Sequence, residues 1–363
     1  MNTFITLFTA QNVHLIKDVG LIPYGMYYYE HYESYVATYD NGEYKHLQDS
    51  VKGLKTWFIR KYTGSFTFDG IIFLIKNSKK IDILNLYHTT LRSALFSLVY
   101  KHVNPSGKIY LKLDGGFTRE ETPWYKSFRR YAIYKADLVT TELRQTQEAM
   151  VRSWNRKIEL LRNPFHPSDL KEFVPYSNRS NTILTVGRIG TPPKNTETLL
   201  NAFISFSEKE NGWKLSLVGS IESDFMKHLN ELFCKMPDLK EKIDVIGNID
   251  DRDKLMSVYS GAKIFAFPSR WESYGIALME AGLCGTFQIC SDLLASKELT
   301  NNFGYAAHFP AEDENKLSEL LESYCLADDF EIERMGKNER EYIVENCSLE
   351  EVSKQLNKMI NEL

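Results

Sequence analysis

The side chains best suited to chemistry fall in two short strings in the second half of the chain. The first is Val186-Gly187-Arg188-Ile189-Gly190-Thr191-Pro192-Pro193-Lys194-Asn195, which follows a β-rich run and puts a cation at each end of one tight loop. Two cations so placed suit a leaving group that gathers negative charge, such as a nucleoside diphosphate. Hydrogen bonds from charged donors to phosphate oxygens are the strong class, and fixed cations can take the part a metal takes elsewhere. The second string runs Phe267-Pro268-Ser269-Arg270-Trp271-Glu272-Ser273-Tyr274-Gly275-Ile276-Ala277-Leu278-Met279-Glu280-Ala281. A strand ends at Pro268, a loop carries Glu272, and a helix starts near Ser273–Gly275. Unpaired amides at that helix start, with the positive end of its dipole, suit a diphosphate or sugar hydroxyls. Glu280 lies two turns further on, where a carboxylate can accept bonds from vicinal ribose hydroxyls. Each string alone has a plainer reading, as solvated turn cations or as a capping glutamate. Together they favour a bound nucleotide sugar.

The first half offers weaker candidates. His88 follows a β-rich run at Ile81–Leu86, and Asp114-Gly115-Gly116 follows another at Lys108–Leu113. Either residue could meet a hydroxyl at the carboxyl edge of a sheet, and Asp114 could equally cap the segment after it. Asp251-Arg252-Asp253 has the D-x-D form of a metal-binding motif. It opens a helical segment, however, where Asp is favoured at the N-cap and first turn. No catalytic metal and no cofactor are expected, the nucleotide sugar being a substrate.

The elements that must position these groups alternate. Strands are expected at Phe4–Thr9, Ser34–Tyr39, Ile71–Ile75, Ile81–Leu86, Lys108–Leu113 and Lys157–Leu161. In the second half they are expected at Thr182–Gly187, Trp213–Gly219, Ile243–Gly247, Lys263–Phe267 and Gly285–Cys290. Helical periods lie between them, notably Leu91–His102 and Trp124–Lys135. Continuous apolar strands between helices imply parallel sheets covered on both faces. Residues 163–181 interrupt the rhythm with Pro164, Pro167, Pro175 and a polar run, as a linker does. The fold class is therefore α/β, with two Rossmann-like doubly wound domains facing across a cleft. Residues 1–165 would form an acceptor domain and 166–347 a nucleotide-sugar donor domain. A terminal helix, 348–363, would pack back on the first through Val352, Leu356, Met359 and Ile360.

Composition agrees with two globular domains: 363 residues, 43% hydrophobic and 25% charged. No apolar run approaches the roughly 18 residues of a membrane helix, and the amino terminus lacks the pattern of a signal peptide. Five cysteines without a CxxC pair suggest neither a disulfide framework nor a zinc site. A cytoplasmic location is expected, with the option of peripheral attachment at the inner face of the membrane. Residues 1–170 hold 23 Lys+Arg against 16 Asp+Glu, a balance of +7, so the total of −4 leaves −11 for the remainder. At Lys52–Tyr62, read as a helix, Val51, Leu54, Phe58 and Tyr62 share a face among unevenly placed cations. That keeps a membrane surface open as a partner. No nucleic-acid motif accompanies the basic balance, so nucleic acid is excluded.

The two strings, in this order and about 80 residues apart, resemble the retaining GT-B glycosyltransferases (family 4-like) that include glycogen synthases, sucrose synthases and bacterial lipid-glycan transferases. The resemblance covers roughly residues 180–325 and is weaker over 1–165. It implies transfer of a sugar from a nucleoside-diphosphate donor, UDP favoured, to a glycan, lipid-linked or protein acceptor, with retention, as in bacterial cell-surface polysaccharide synthesis. It also implies roles. Arg188 and Lys194 would hold the diphosphate beside Gly187, with Arg188, Lys194 and Glu272 as the catalytic set. Backbone around Ser273, Tyr274, Gly275 and Ile276 would hold sugar and phosphates, Glu280 the ribose, and Gly247, Asn248 and Ile249 the base. Gly20 is the counterpart of the family's glycine-rich loop, and Asp114 stands where many members have a histidine. Gly20, His88 and Asp114 are thus the acceptor-side candidates. The alternative is a non-catalytic GT-B protein that binds a nucleotide sugar to support a partner enzyme.

Overall fold

The computed structural model describes residues 1–115, 127–210 and 212–363. They divide into two compact units, Met1–Pro167 with Asn346–Leu363, and Ser168–Glu345. The first is built on seven parallel strands: β1 (Thr3–Leu7), β2 (Glu33–Thr38), β3 (Lys55–Phe58), β4 (Ile83–Tyr87), β5 (Lys108–Leu113), β6 (Leu138–Thr141) and β7 (Glu159–Leu160), in the order β3-β2-β1-β4-β5-β6-β7. The second has six: β8 (Ser180–Val186), β9 (Lys214–Val218), β10 (Ile243–Gly247), β11 (Ala262–Phe267), β12 (Phe287–Ser291) and β13 (Ala306–Phe309), in the order β10-β9-β8-β11-β12-β13. In each sheet the order reverses beside the first strand, between β1 and β4 and between β8 and β11. Chain crossovers then diverge at that point, and the gap they leave at the carboxyl ends of the strands is where such sheets take ligands.

Burial on both faces explains the continuous apolar strands. One face of the first sheet packs Ile5, Leu7, Leu84 and Leu86 with Phe96 and Tyr100; the other packs Phe4, Ile83 and Tyr110 with Ile22 and Met26. The carboxyl-terminal helix Leu349–Asn361 completes that second face, because Val352, Leu356 and Ile360 join the same core at 1–2% exposure. At about 1.5–3 kcal/mol per large apolar side chain buried, these three residues contribute several kcal/mol.

Two expected elements differ. Ile71–Ile75 is not a strand but part of the helix Phe66–Asn77. Phe66, Phe73 and Leu74 bury its inner face while Phe68 and Ile75 stay 62% and 56% exposed. The helix is apolar nearly all round, so its period gives no signal and the run imitates a buried strand. Residues 52–62, read as a helix, instead supply β3, whose register with β2 runs from Tyr35 opposite Lys55 to Thr38 opposite Phe58. As an edge strand it keeps Lys55 and Phe58 exposed, which blurs alternation. Strands β6 and β13, at four residues each, were too short to stand out. Within Trp124–Lys135, the described part is the helix Ser127–Lys135, and Gly116 lies outside the described residues.

Candidate active site

In the second unit both chemical strings end at the reversal point, one after β8 and one after β11. Direct contacts tie them together. The Arg270 amide donates to Pro193 O at 2.8 Å, Lys194 Nζ pairs with Glu272 Oε1, and Ser269 Oγ donates to the same oxygen at 2.9 Å. Lys194 and Glu272 keep 20% and 14% of their side-chain surface, so the pair is sheltered yet reachable. The Lys194 ammonium also lies 5.7 Å from the centre of the Phe267 ring. Ser291 Oγ anchors the strand end by donating to Ser269 O at 2.6 Å. The close approach of β9 to the first loop requires glycine. At Gly219, with φ +124°, a Cβ would lie 1.9 Å from Gly187 O.

Arg188 is exposed, with its guanidinium making no hydrogen bond or ion pair among the described residues, and Gly187 lies against the Lys194 stem. Gly275 has φ +84°, a left-handed turn that opens the helix Ile276–Leu283. Ser273 and Ile276 are exposed and Tyr274 is buried at 1%. The carbonyl of Gly275 takes the Leu278 and Met279 amides, which leaves the amides of the first turn facing outward. Gly247, with φ +79°, Asn248 and Ile249 lie at the end of β10, two strands from β8, or roughly 10 Å at normal strand spacing. No atom lies within 4 Å of a Cβ built on Gly247.

Glu280 sits apart from this pair in a network that the sequence did not reveal. It is 6% exposed, and both oxygens are engaged: Arg252 Nη1 donates to Oε1 at 2.6 Å and Tyr259 OH to Oε2 at 2.9 Å. The other edge of Arg252 makes a two-pronged contact with Asp169, at 2.9 and 2.8 Å. Burial opposes charge on Arg252, but the two carboxylates more than offset it and raise its pKa. Arg252 had looked like the middle of a false D-x-D motif. Its neighbours behave as the sequence suggests for helix-start residues: Asp251 accepts from the Lys254 amide at 3.0 Å, and Asp253 pairs with Lys171 at 2.6 Å. Only Arg252 turns inward, a choice that depends on Asp169, 83 residues away.

The first unit carries its own cluster at the carboxyl end of β5. Lys112 is fully buried, with Glu142 at 2.6 Å, Asp18 at 3.4 Å and Asp114 at 3.7 Å. Burial works against the ammonium, yet the three carboxylates hold its pKa above the ordinary lysine value. Burial raises Glu142, and burial with Asp18 nearby raises Asp114, against the pull of Lys112. Asp18, Asp114 and Glu142 each offer an oxygen within 4.8 Å of the others, as a metal site would. Here the Lys112 ammonium already supplies the cation between them. His88, at φ +59°, reaches Asp114 at 3.6 Å and helps line a cavity of about 350 Å³ with Phe8, Tyr87 and Arg92, beside the reversal between β1 and β4. Gly20 sits in the first turn of the helix Asp18–Tyr28, two residues after Asp18. There a Cβ would come within 2.3 Å of Leu15 backbone, so its own chain explains the glycine.

Residues 169–342 match the family described as glycosyl transferases group 1. That match lies within the second unit and spans 174 of the 363 residues. Among curated relatives of this family match, a phosphatidyl-myo-inositol mannosyltransferase of Mycobacterium leprae is 30% identical over 156 residues, covering 42% of this chain and 40% of that protein. A glycosyltransferase of Methanocaldococcus jannaschii is 24% identical over 49% of this chain and 48% of its own. The chain thus spans less than half the length of these relatives. Solved structures agree over the whole chain. HepE of Anabaena, crystallised with UDP, has a TM-score of 0.75 at 15% identity with 100% of both chains covered. Sucrose-phosphate synthase of Thermosynechococcus elongatus has a TM-score of 0.72 at 16% identity, covering 100% of this chain and 99% of that one. The chain has the GT-B fold, two Rossmann-like parallel-sheet domains. No helix among the described residues is long and apolar enough to cross a membrane.

Proposed function

We propose that this protein transfers a sugar from a nucleoside-diphosphate donor to a glycan, lipid-linked or protein acceptor, with retention and without a metal. The observation that carries the proposal is the joining of Lys194 and Glu272 at the reversal point of the second sheet, beside the open first turn of Ile276–Leu283. A diphosphate entering there offers Lys194 a doubly charged partner in place of one carboxylate, and Arg188 is exposed on the same loop. As the bond from the anomeric carbon to the diphosphate breaks, charge grows on the leaving phosphate. Preplaced cations and amides stabilise that charge without reorganising. Released from Lys194, Glu272 is left beside the reacting sugar. Glu280, held by Arg252 and Tyr259, is assigned to the ribose, and Gly247–Ile249 to the base. UDP is favoured because HepE, a structural neighbour, was crystallised with UDP and with UDP-glucose. A lipid-linked acceptor draws support from the mannosyltransferase of phosphatidyl-myo-inositol among the relatives.

The test is liberation of nucleoside diphosphate from a panel of nucleotide sugars, read chromatographically with glycan, lipid and protein fractions as acceptors. Release from one donor that depends on an acceptor fraction and on Lys194 supports transfer. Tight binding of a nucleotide sugar with no release under any condition would replace it by a non-catalytic binding role.

A further inference from the structure

The first unit displays an apolar surface that nothing among its described residues covers. Phe68 and Ile75, one above the other on the helix Phe66–Asn77, are 62% and 56% exposed. On the helix Leu91–Val103, Leu91 and Leu98 have the same seven-residue spacing and are 57% and 50% exposed. Half-buried Ile71, Ile72 and Leu95 continue the two stripes. The helices lie side by side: Arg92 Nε donates to Thr67 Oγ1 at 3.2 Å, and a Cβ on Gly70 would lie 2.6 Å from Phe96 Cζ. Both bury their opposite faces in the same core, so the two stripes lie together on the outside of one layer. Single exposed apolar residues are ordinary, whereas two adjoining stripes of them mark a contact surface.

Charge selects the partner. Residues 66–80, 91–103 and 127–135, the helices of this layer and the turn after the first, carry eight Lys and Arg: Lys76, Lys79, Lys80, Arg92, Lys101, Arg129, Arg130 and Lys135. They carry one carboxylate, Asp69, which is fully buried and accepts bonds from Tyr39, Thr63 and Gly64. At the edge of the layer Tyr62 is 48% exposed, with the Lys76 ammonium 4.9 Å and the Arg60 guanidinium 5.1 Å from its ring centre. An amphipathic aromatic among cations, next to aliphatic stripes, is the composition of a lipid–water boundary. A second copy pairing layer to layer about a two-fold axis would bring the same sign of charge. A nucleic acid would leave Ile75, Leu91 and Leu98 with nothing to bury against, since its phosphates are hydrophilic and aliphatic side chains do not stack on bases.

We propose that the outer face of the helices Phe66–Asn77 and Leu91–Val103 docks on an anionic lipid bilayer, with Phe68, Ile75, Leu91 and Leu98 entering the headgroup region and the exposed cations Lys76, Lys79, Lys80, Arg92 and Lys135 meeting lipid phosphates. The docking stands independently of sugar transfer, since it needs neither donor nor turnover. Each cation near an anionic surface strengthens partitioning about fivefold, and each large apolar side chain buried adds about tenfold or more.

The experiment is flotation of the full chain with vesicles of phosphatidylcholine alone and with 30% phosphatidylglycerol, at low and at physiological salt. The wild type should float with the anionic vesicles and far less with the neutral ones. Phe68→Ser/Ile75→Ser/Leu98→Ser should lower that partition at least tenfold, while its melting temperature and its affinity for UDP stay those of the wild type. Lys76→Glu/Lys79→Glu should also lower it, and added salt should weaken the wild type. The proposal is overturned if the wild type ignores anionic vesicles, or if the triple variant floats as well as the wild type. It is also overturned if the stripes instead mediate a concentration-dependent dimer or an equally tight complex with RNA. Loss of UDP binding in a chain that still floats would count against the sugar-transfer proposal and leave docking intact.

Discussion

Arg252 gives the sharpest structural prediction, because one side chain holds two buried carboxylates. Its three hydrogen bonds, 2.6 Å to Glu280 and 2.9 and 2.8 Å to Asp169, are each of the charge-assisted kind worth about 1.5–3 kcal/mol. They do not add in full, since Arg252 keeps 31% of its side-chain surface and water can reach what remains. Removing one partner of a buried ion pair costs about 3–5 kcal/mol, and the partial exposure points to the lower end. Arg252→Leu should therefore destabilise the second unit by about 3 kcal/mol. For a unit of this size that lowers its melting temperature by roughly 6–12 °C, at about 2–4 °C per kcal/mol. Urea unfolding followed by fluorescence reads the change. Adding Asp169→Asn and Glu280→Gln to the same chain should recover a large part of it, because the stranded charges are then gone. A loss under about 1 kcal/mol, or a triple variant no more stable than the single one, would refute the idea that Arg252 neutralises this pair.

Four further outcomes are expected. Lys194→Met should weaken UDP binding by about 1.5–3 kcal/mol, some ten- to hundredfold, with the fold intact; calorimetry checks it. Glu272→Gln removes the carboxylate that occupies Lys194 before a ligand arrives, so UDP should bind as well as to wild type or better while turnover falls; a large loss of UDP affinity would reverse its assignment. Transfer should persist in EDTA, and loss restored by Mg²⁺ would show that a metal is needed after all. Glu339 is fully buried with no hydrogen bond to either oxygen among the described residues, and burial raises its pKa well above the usual carboxylate range. A carboxyl that keeps its proton in the fold but loses it in the unfolded chain costs stability as pH rises above about 4.5. Glu339→Gln should then gain on wild type by about 1.4 kcal/mol per pH unit above that value, until Glu339 ionises in the fold. Equal pH slopes in the two proteins would exclude this.

The strand–loop–helix placement of the two candidate strings was legible because it is local. Arg188, Lys194, Glu272 and the helix start at Gly275 lie in two strings whose strand–loop–helix order shows in hydrophobic period and turn residues. What escaped depends on distant partners. Arg252 turns inward only because Asp169, outside its own string, meets it, and Lys112 is tolerable in a core only beside Glu142, Asp18 and Asp114. Residues 66–77 misled because a helix normally shows its solvent side by polar residues, and here that side carries Phe68, Ile72 and Ile75. The failure of the period and the exposed apolar surface are one fact seen twice.

The most direct test of the donor site is an isothermal titration of UDP into the wild-type chain and into Lys194→Met, with EDTA present throughout. The prediction is saturable one-to-one binding to the wild type and a ten- to hundredfold weaker constant for the variant. Absence of binding to the wild type by UDP or any other nucleoside diphosphate, or equal affinities for the two chains, would contradict a diphosphate held at Lys194.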